Sequence, residues 1–364
     1  MTTTDRYIIR TFVGSYVTLL AVGVGLYIFG DLLFNLDEFT ENRALPVRQI
    51  LANMADYYGC NLPLYYMQLG GVVMALAASF TFGMMLKNNE MTALVAAGLP
   101  LQRLAVPALL CSVVLVSLWM GNSEWLVPRL ADKIARHHDD IGGTRVSAVD
   151  CVRDDHNAIL SANELRAQAG WLKGVYIVEP PSPTTPGSLI SADAAYYDPQ
   201  RHTWRLERGA RLLLGGVFAG GELGAPLQRQ PLAEYAFTLT PEQILLRQSA
   251  QWAGLMSIRQ MNALLQGGRL PNKPAIAKSR DIRFMQPLLS WILMLLVVPF
   301  FLTREPANVL IAGGKALLLG GLCFGFAFVA HSASVEGSYM RLATALPVLI
   351  FGPIAVLHMA SVRT

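Results

Sequence analysis

Six long apolar runs, separated by short polar segments or by one long polar insert, dominate the chain. A helix needs about 20 mostly apolar residues to cross the hydrocarbon core of a bilayer. The runs that meet this length lie at roughly 11–36, 58–86, 103–126, 284–302, 308–330 and 342–361. The first run is too long for the apolar part of a signal peptide and lacks a small-residue cleavage site. The pattern therefore predicts six retained transmembrane helices.

The insert after the third run has a different pattern. Short runs of β-branched, aromatic and apolar residues, such as GVYIVE at 174–179 and HTWRLERGARLLL at 202–214, alternate with stretches rich in Pro and Gly. Several short strands separated by turn residues are typical of a β-sandwich or jelly roll. A helical pattern returns at 255–266, just before the fourth apolar run.

These patterns together predict a membrane α-helical fold with an inserted extracytoplasmic all-β, jelly-roll-like domain. We expect transmembrane helices one to three in 1–126, the inserted domain with its returning helix in 127–283, and helices four to six in 284–364.

The segment KNNEMTALVAAGLPLQR, residues 87–103, joins the second and third runs and is too short and too polar to cross a bilayer. Its apolar side chains recur with the spacing of one helix face, which predicts a short helix within 87–100. The side chains on that face are Met91, Leu94, Val95 and Leu99.

The ends of this short helix also carry recognisable signals. Asn88 or Asn89 is suited to cap its start, and Glu90 favours the positive end of the helix dipole. Gly98 followed by Pro100 is a stop signal. Two interpretations remain open: a loop helix packed on its own bundle, or a docking helix that fits a groove on a cytoplasmic partner with Glu90 as its charged contact.

Three basic residues follow the third run at spacings of four and three: Arg129, Lys133 and Arg136. A helix in this region carries them on one face. The stripe either faces water and lipid headgroups, or clamps the phosphates of an acidic lipid, for which Arg and Lys are suited.

Glycines are frequent in the first and fifth runs, and Gly321 and Gly325 form a GxxxG sequence in the fifth. Small residues allow helices to approach closely in lipid, either within one chain or between chains. Asp31 lies near the end of the first run. A charge inside a membrane helix is commonly functional, although this one is close enough to the end to reach water.

The composition agrees with a membrane protein and argues against several other classes. The chain is 53% hydrophobic and 15% charged, whereas soluble domains carry about 25% charged residues. Its Lys and Arg residues are dispersed, so a nucleic-acid partner is not expected. The four cysteines show no CxxC spacing, and the contiguous HHDD at 137–140 fans around a helix, so we expect neither a disulfide framework nor a metal site.

Catalytic motifs are not found in the sequence either. There is no HExxH or GxSxG, and the closest phrase to a phosphate-binding loop, IAGGKA at 311–316, lacks the first Gly and the Ser or Thr. We therefore expect no catalytic residues and no cofactor, with any ATP bound by a partner.

Basic residues in the short segments set the expected orientation, because cytoplasmic loops are enriched in Lys and Arg. With the N-terminus inside, six of them are cytoplasmic and three are outside. The inside set is Arg6, Arg10, Lys87, Arg103, Arg304 and Arg363, and the outside set is Arg43, Arg48 and Arg341. We expect both termini in the cytoplasm.

KNNEMTALVAAGLPLQRLAVPALL resembles the coupling-helix region of the LptF/LptG permeases of lipopolysaccharide export. DRYIIRTF at the start, SEWLVPRLADKIAR at 123–136, YYDPQRHTWRLERGAR at 196–211 and FMQPLLSWILMLLVVPFFL at 284–302 are similar to further family regions, in the same order. The layout of six spans with an insert after the third is also similar. One departure is the first span, where Asp31 stands in a region in which the family tends to place a Lys.

The resemblance implies a permease subunit in the bacterial inner membrane that pairs with a paralogous six-span subunit and sits on a cytoplasmic LptB-like ATPase dimer. Such a complex extracts lipopolysaccharide and passes it to a periplasmic LptC/LptA-like bridge. It implies that residues 87–100 form the coupling helix and that Arg129, Lys133 and Arg136 contact substrate phosphates. It also implies that span one meets span five of the partner as a lateral gate, to which we assign Asp31, Gly321 and Gly325.

Three alternatives stay open at this point. A lipoprotein-release permease places its large domain after the first of four spans, unlike this chain. A membrane enzyme acting on envelope lipids needs a catalytic cluster at the membrane face. A structural scaffold of the cell envelope would show no ATP-coupled movement of lipid.

Overall fold

A computed structural model describes residues 2–40, 46–134, 147–154, 156–167, 169–181, 187–213, 229–248, 252–266, 273–303, 308–333 and 339–362. The chain divides into two compact units. We call Met1–Phe34, Asn61–Leu126 and Ala277–Thr364 the membrane unit, and Asn35–Cys60 with Val127–Ile276 the inserted unit.

The prediction of six transmembrane helices is confirmed. Six helices of the described part are long and apolar enough to cross a membrane. They are α1 (Thr3–Thr40), α2 (Val47–Lys87), α4 (Leu101–Gly121), α10 (Lys273–Val297), α11 (Val309–Ser332) and α12 (Tyr339–Ala360). Several begin about ten residues before the apolar run, because their polar first turns continue the helix outside the apolar segment.

Shorter helices connect these elements. They are α3 (Glu90–Ala96), α5 (Val127–Arg129), α6 (Ala131–Ile134), α7 (Pro241–Gln248), α8 (Trp252–Leu255) and α9 (Ile258–Gln266). A π-helical segment, Asn122–Leu126, continues α4, and a 3₁₀ turn, Val298–Phe300, ends α10.

The helices of the membrane unit are held by close packing of apolar and small side chains. The first four turns of α1, the end of α2, α3 and the start of α4 share one buried cluster, which includes Ile8, Phe12, Phe82, Met91 and Leu104. Elsewhere small residues let helices approach closely. A Cβ added at Gly71 of α2 would overlap the Ser290 hydroxyl of α10.

The described part of the inserted unit contains an antiparallel sheet of eight strands, which confirms the inserted all-β domain. The strands are β1 (Ser147–Arg153), β2 (Ile159–Arg166), β3 (Trp171–Glu179), β4 (Ser188–Asp198), β5 (Thr203–Glu207), β6 (Ala210–Leu213), β7 (Arg229–Pro231) and β8 (Glu234–Tyr235). β1 to β5 follow one another as a meander, and β8 pairs with β5.

The predicted strand region at 202–214 contains two strands, β5 and β6, and not one. β5 pairs with the end of β4, with Thr203 opposite Asp198, whereas β6 pairs with its beginning, with Leu213 opposite Ser188. The break falls at Arg208, whose φ of 51° is left-handed, and at Gly209, where a Cβ would overlap the Leu232 carbonyl oxygen. Only a residue without a side chain fits this close approach.

One face of the sheet supplies the core of the inserted unit. Buried residues alternate along β2, β3 and β4 and include Leu160, Ile177 and Ile190. Ile244 of α7 packs into the same cluster. The Trp204 indole is buried as well and donates a hydrogen bond of 3.1 Å to the Leu239 carbonyl.

Candidate functional site

The short helix α3 spans Glu90–Ala96, within the predicted range. Asn89 takes the N-cap position in the left-handed region, with φ at 56°, but its side chain makes no capping hydrogen bond. The prediction that an asparagine occupies the N-cap is confirmed for Asn89, but its side chain does not form the expected capping hydrogen bond. An Asn tolerates the left-handed conformation better than most residues, and this explains its place in the turn.

The predicted stop signal at the other end of α3 is confirmed. Gly98 has a φ of 83°. Its N–H donates to the Val95 carbonyl at 2.9 Å, and the Leu99 N–H donates to the Leu94 carbonyl at 3.2 Å. This pair of bonds around a left-handed glycine is a Schellman motif, which satisfies the last carbonyls of a helix.

The apolar face of α3 packs against the chain's own bundle. Met91 is 0% exposed and belongs to the buried cluster of the membrane unit, and Leu94, Val95 and Leu99 are partly buried against that cluster. These four side chains thus follow the first interpretation, a helix packed on its own bundle. The expectation that Met91 fills a groove on a partner is corrected, because this side chain is fully buried in its own bundle. For Leu94, Val95 and Leu99, which are only partly buried, contact with a partner stays a prediction.

The opposite face of α3 is exposed and is made of small residues. Thr92, Ala93, Ala96 and Ala97 all lie on the surface. Small side chains leave the helix backbone open to close approach by another molecule. We call these four residues the small face of α3.

Glu90, at the first position of α3, is half-buried and held by two donors from the same chain. The Tyr7 hydroxyl of α1 donates to Oε2 at 2.8 Å, and the Asn88 amide donates to Oε1 at 3.2 Å. The carboxylate therefore has a fixed orientation at the edge of the small face.

Basic side chains and one chain end accompany α3. Arg6, Arg10, Lys87 and Arg103 are exposed on the helix ends next to it. The Gln102 amide donates to the Val362 carbonyl at 3.2 Å, and Val362 is part of the same buried cluster as Ile8 and Met91. The start of α1, α3 and the end of α12 thus share one end of the bundle.

The basic stripe is described in part. Arg129 and Lys133 are both exposed, on α5 and α6, and helical geometry is interrupted between them at Leu130. Arg136 lies outside the described residues, as does the HHDD segment. No group of three or more His, Cys, Asp or Glu side chains within the described ranges is arranged to hold a metal ion.

The three residues assigned to a gate differ in their surroundings. Asp31 is half-buried on α1. A Cβ added at Gly321 or Gly325 of α11 would meet no atom within 4 Å. Gly321 also lines an apolar groove of about 320 Å³ between α2, α10 and α11. No described part of this chain therefore covers the GxxxG surface.

A buried ion pair between α10 and the π-helical segment escaped the sequence analysis. Arg283 Nη1 lies 3.2 Å from Glu124 Oε1, with the two side chains 5% and 19% exposed. The same nitrogen donates to the Ser123 carbonyl at 3.3 Å. In a π-helix the Ser123 carbonyl would accept from the N–H of the residue five positions later, but that residue is Pro128, which has no N–H. The Arg283 side chain supplies the donor instead. The sequence offered only two signals for this pair: Glu124 inside the end of the third apolar run, and Arg283 directly before the fourth.

A second unpredicted group joins four strands of the inserted unit. Glu179 accepts hydrogen bonds from Ser188, Arg211 and Tyr235, the last at 2.9 Å. Burial alone would raise the pKa of Glu179, but the three donors outweigh it, so the pKa lies below its ordinary value. Burial and the nearby Glu179 carboxylate raise the pKa of Tyr235. These hydrogen bonds link the end of β3 to β4, β6 and β8.

Similarity to known proteins indicates the family of this chain. The curated proteins include no significant match to this chain. The family model described as "Lipopolysaccharide export system permease LptF/LptG" matches residues 6–360. Since this match covers nearly the whole chain, and six apolar helices with an inserted sheet agree with it, the protein belongs to the LptF/LptG family of lipopolysaccharide export permeases.

Proposed function

We propose that this chain is one permease subunit of an ATP-driven complex that extracts lipopolysaccharide from the bacterial inner membrane and passes it to a periplasmic LptC/LptA-like bridge. Its partners are a paralogous six-span subunit and a cytoplasmic LptB-like ATPase dimer. Family membership is the observation that carries the proposal. The chain has no phosphate-binding loop of its own, so the energy comes from a partner.

The orientation follows from the end of the bundle that carries α3. Arg6, Arg10, Lys87 and Arg103 lie at this end, and cytoplasmic segments are enriched in such residues. We place this end, and with it both termini, in the cytoplasm. A reporter fused at residue 98 then reads cytoplasmic, and one fused within 180–187 reads periplasmic. The reverse result contradicts the assignment.

The ATPase docks on the small face of α3 and on Glu90. Met91 is buried in the bundle, so the surface available to a partner is the small face, the Glu90 carboxylate and the exposed parts of Leu94, Val95 and Leu99. A partner that carries a protruding side chain and an Arg or Lys is complementary to this surface. Bidentate contact between Arg and a carboxylate adds geometric specificity.

Ala96→Trp tests this docking surface. The bulky ring covers the small face and lowers capture of the purified ATPase subunit, while the unfolding midpoint stays unchanged because the site is exposed. Glu90→Lys lowers capture as well, because it sets a like charge against the partner's cation. Wild-type capture in both variants would contradict docking at α3.

The substrate's phosphates meet Arg129, Lys133 and Arg136 at the outer end of span three. Arg129 and Lys133 are exposed and close to the end of the apolar helix. Reversal of all three charges to Glu is expected to lower crosslinking of lipopolysaccharide while the complex still assembles. Each charged hydrogen bond contributes about 1.5–3 kcal/mol when desolvated, and less where water reaches it. Unchanged crosslinking would contradict phosphate binding and would mean that these three residues form only a solvent-exposed surface.

The lateral gate uses α1 and α11 toward the partner subunit. Gly321 and Gly325 leave an open surface on α11, which suits close contact with a second helix in lipid. Asp31 lies on the helix that would face the partner's fifth span. A disulfide between cysteines placed at Gly325 and on the partner's first span is expected to form and to block transport. Failure to crosslink at any position along that span would refute the arrangement.

The whole complex is tested by purification of the tagged chain from its own membranes. We expect the ATPase and a second six-span subunit to accompany it, and proteoliposomes of the complex to release lipopolysaccharide to a soluble bridge protein only when ATP is present. Purification of the chain alone, or release without ATP, would refute the proposed function.

A further inference from the structure

The hydrogen bond between Tyr7 and Glu90 joins two parts of the chain that are 83 residues apart. Tyr7 is 46% exposed, so burial does not force its hydroxyl toward the carboxylate. The ring has room to turn to water, yet the hydroxyl lies 2.8 Å from Oε2. The contact is therefore a specific polar link between α1 and α3.

Apolar packing supports the same link. Ile8 and Phe12, one residue and five residues after Tyr7, are fully buried in the cluster that also contains Met91 of α3. The first turns of α1 and the helix α3 thus touch through a polar contact at the rim and an apolar contact below it. A displacement of α3 is transmitted to the base of span one through both.

The Glu90 carboxylate retains capacity for a further partner. An ionised carboxylate has about four acceptor positions. Tyr7 uses one on Oε2, and Asn88 uses one on Oε1. A second donor can approach each oxygen from the solvent side, which is the geometry of a bidentate Arg contact. Because the carboxylate is already oriented, it loses little rotamer freedom when that contact forms.

We propose that Tyr7 is a positioning residue for Glu90, and that its hydroxyl both orients the carboxylate toward a cation of the ATPase and ties span one to α3. This inference rests on the proposed docking of the ATPase at α3. It adds that the docking contact is built by two helices, so that ATP-driven movement of α3 reaches span one directly.

Tyr7→Phe removes only the hydroxyl and keeps the ring. We expect the purified permease pair to bind the purified ATPase subunit roughly fivefold more weakly, because the Glu90 carboxylate keeps its charge and loses only its fixed orientation. We also expect less lipopolysaccharide released per ATP hydrolysed. Tyr339→Phe is the control, since Tyr339 is also an exposed tyrosine and lies on α12, apart from α3 and from the helices of the proposed gate. It leaves both quantities unchanged.

The double variant Tyr7→Phe with Glu90→Gln decides between positioning and an independent role. If Tyr7 acts through Glu90, its substitution has no further effect once Glu90 is replaced. An equal loss in both backgrounds overturns the inference. A loss with Glu90→Gln but none with Tyr7→Phe also overturns it and leaves the docking proposal intact. No loss with either variant overturns both.

Discussion

Replacing Arg283 by methionine tests the buried ion pair between α10 and the π-helical segment. The methionine keeps much of the apolar stem and removes the guanidinium, which contacts both Glu124 and the Ser123 carbonyl. The variant therefore isolates the polar contact from the packing around it.

The expected loss follows from burial. Removing one partner of a buried ion pair costs about 3–5 kcal/mol, because a charge stays buried without its counter-ion. Glu124 is 19% exposed, so water reaches part of its carboxylate. The Ser123 carbonyl also loses a donor, a cost of about 1–3 kcal/mol that overlaps with the first. We expect the free energy of unfolding to fall by about 3 kcal/mol.

The assay is equilibrium unfolding of the purified chain in mixed micelles, followed by circular dichroism. Glu124→Gln is measured alone and together with Arg283→Met. Since the two groups act on each other, the double variant is expected to lose less stability than the sum of the two single variants.

Arg341→Met is the matched control, because it removes an Arg near a carboxylate at an exposed position. Arg341 is 75% exposed, and its Nε lies 3.7 Å from Asp281 Oδ2. Asp281 is 15% exposed, but it keeps a second cation, Arg280 Nη2 at 2.9 Å, so the loss of Arg341 leaves no buried charge without a counter-ion and should cost only about 0–1 kcal/mol. If Arg283→Met is as mild as Arg341→Met, or if the two single losses simply add, the reasoning from burial is refuted.

Three further predictions concern other parts of the chain. The donors to Glu179 lower its pKa below the ordinary 4.5, so the stability that this carboxylate adds to the folded sheet is full above about pH 4.5 and is lost as the pH falls through the folded pKa. Hydrogen exchange of the β3 and β4 amides should therefore become faster in acid. Glu179→Gln should make this exchange less dependent on pH. Met91→Ala should lower the free energy of unfolding by about 2–5 kcal/mol, and a neutral result would mean that α3 is not packed as described. Gly71→Ala should cost about 1–3 kcal/mol through overlap with Ser290, whereas Gly121→Ala, with no atom within 4 Å, should not.

Local patterns along the sequence were sufficient to predict where the membrane helices and the strands form. The six apolar runs predicted six helices, since a helix in lipid satisfies its own backbone and needs only length and apolar composition. The C-terminal end of α3 could also be predicted from the sequence, because the turn there needs a left-handed backbone conformation, which Gly98 adopts. The short strands of the insert were visible for the same reason.

The sequence predicted that α3 has one apolar face, but not what that face packs against. The spacing of Met91, Leu94, Val95 and Leu99 correctly predicted one apolar face, but a pattern does not say which surface covers that face. Both a partner's groove and the chain's own bundle satisfy it. The structure resolves this by burying Met91 among residues of α1, α2 and α4, which leaves the small face as the exposed one.

Two strands and two polar contacts depended wholly on the tertiary structure. The run 202–214 divides into β5 and β6 because each half pairs with a different end of β4. Tyr7 meets Glu90 across 83 positions, and Arg283 meets Glu124 across 159. The sequence by itself determined where helices and strands form, since that depends on neighbours a few positions apart. Which side chains meet depends on how distant helices and strands pack, and only the folded chain fixes that.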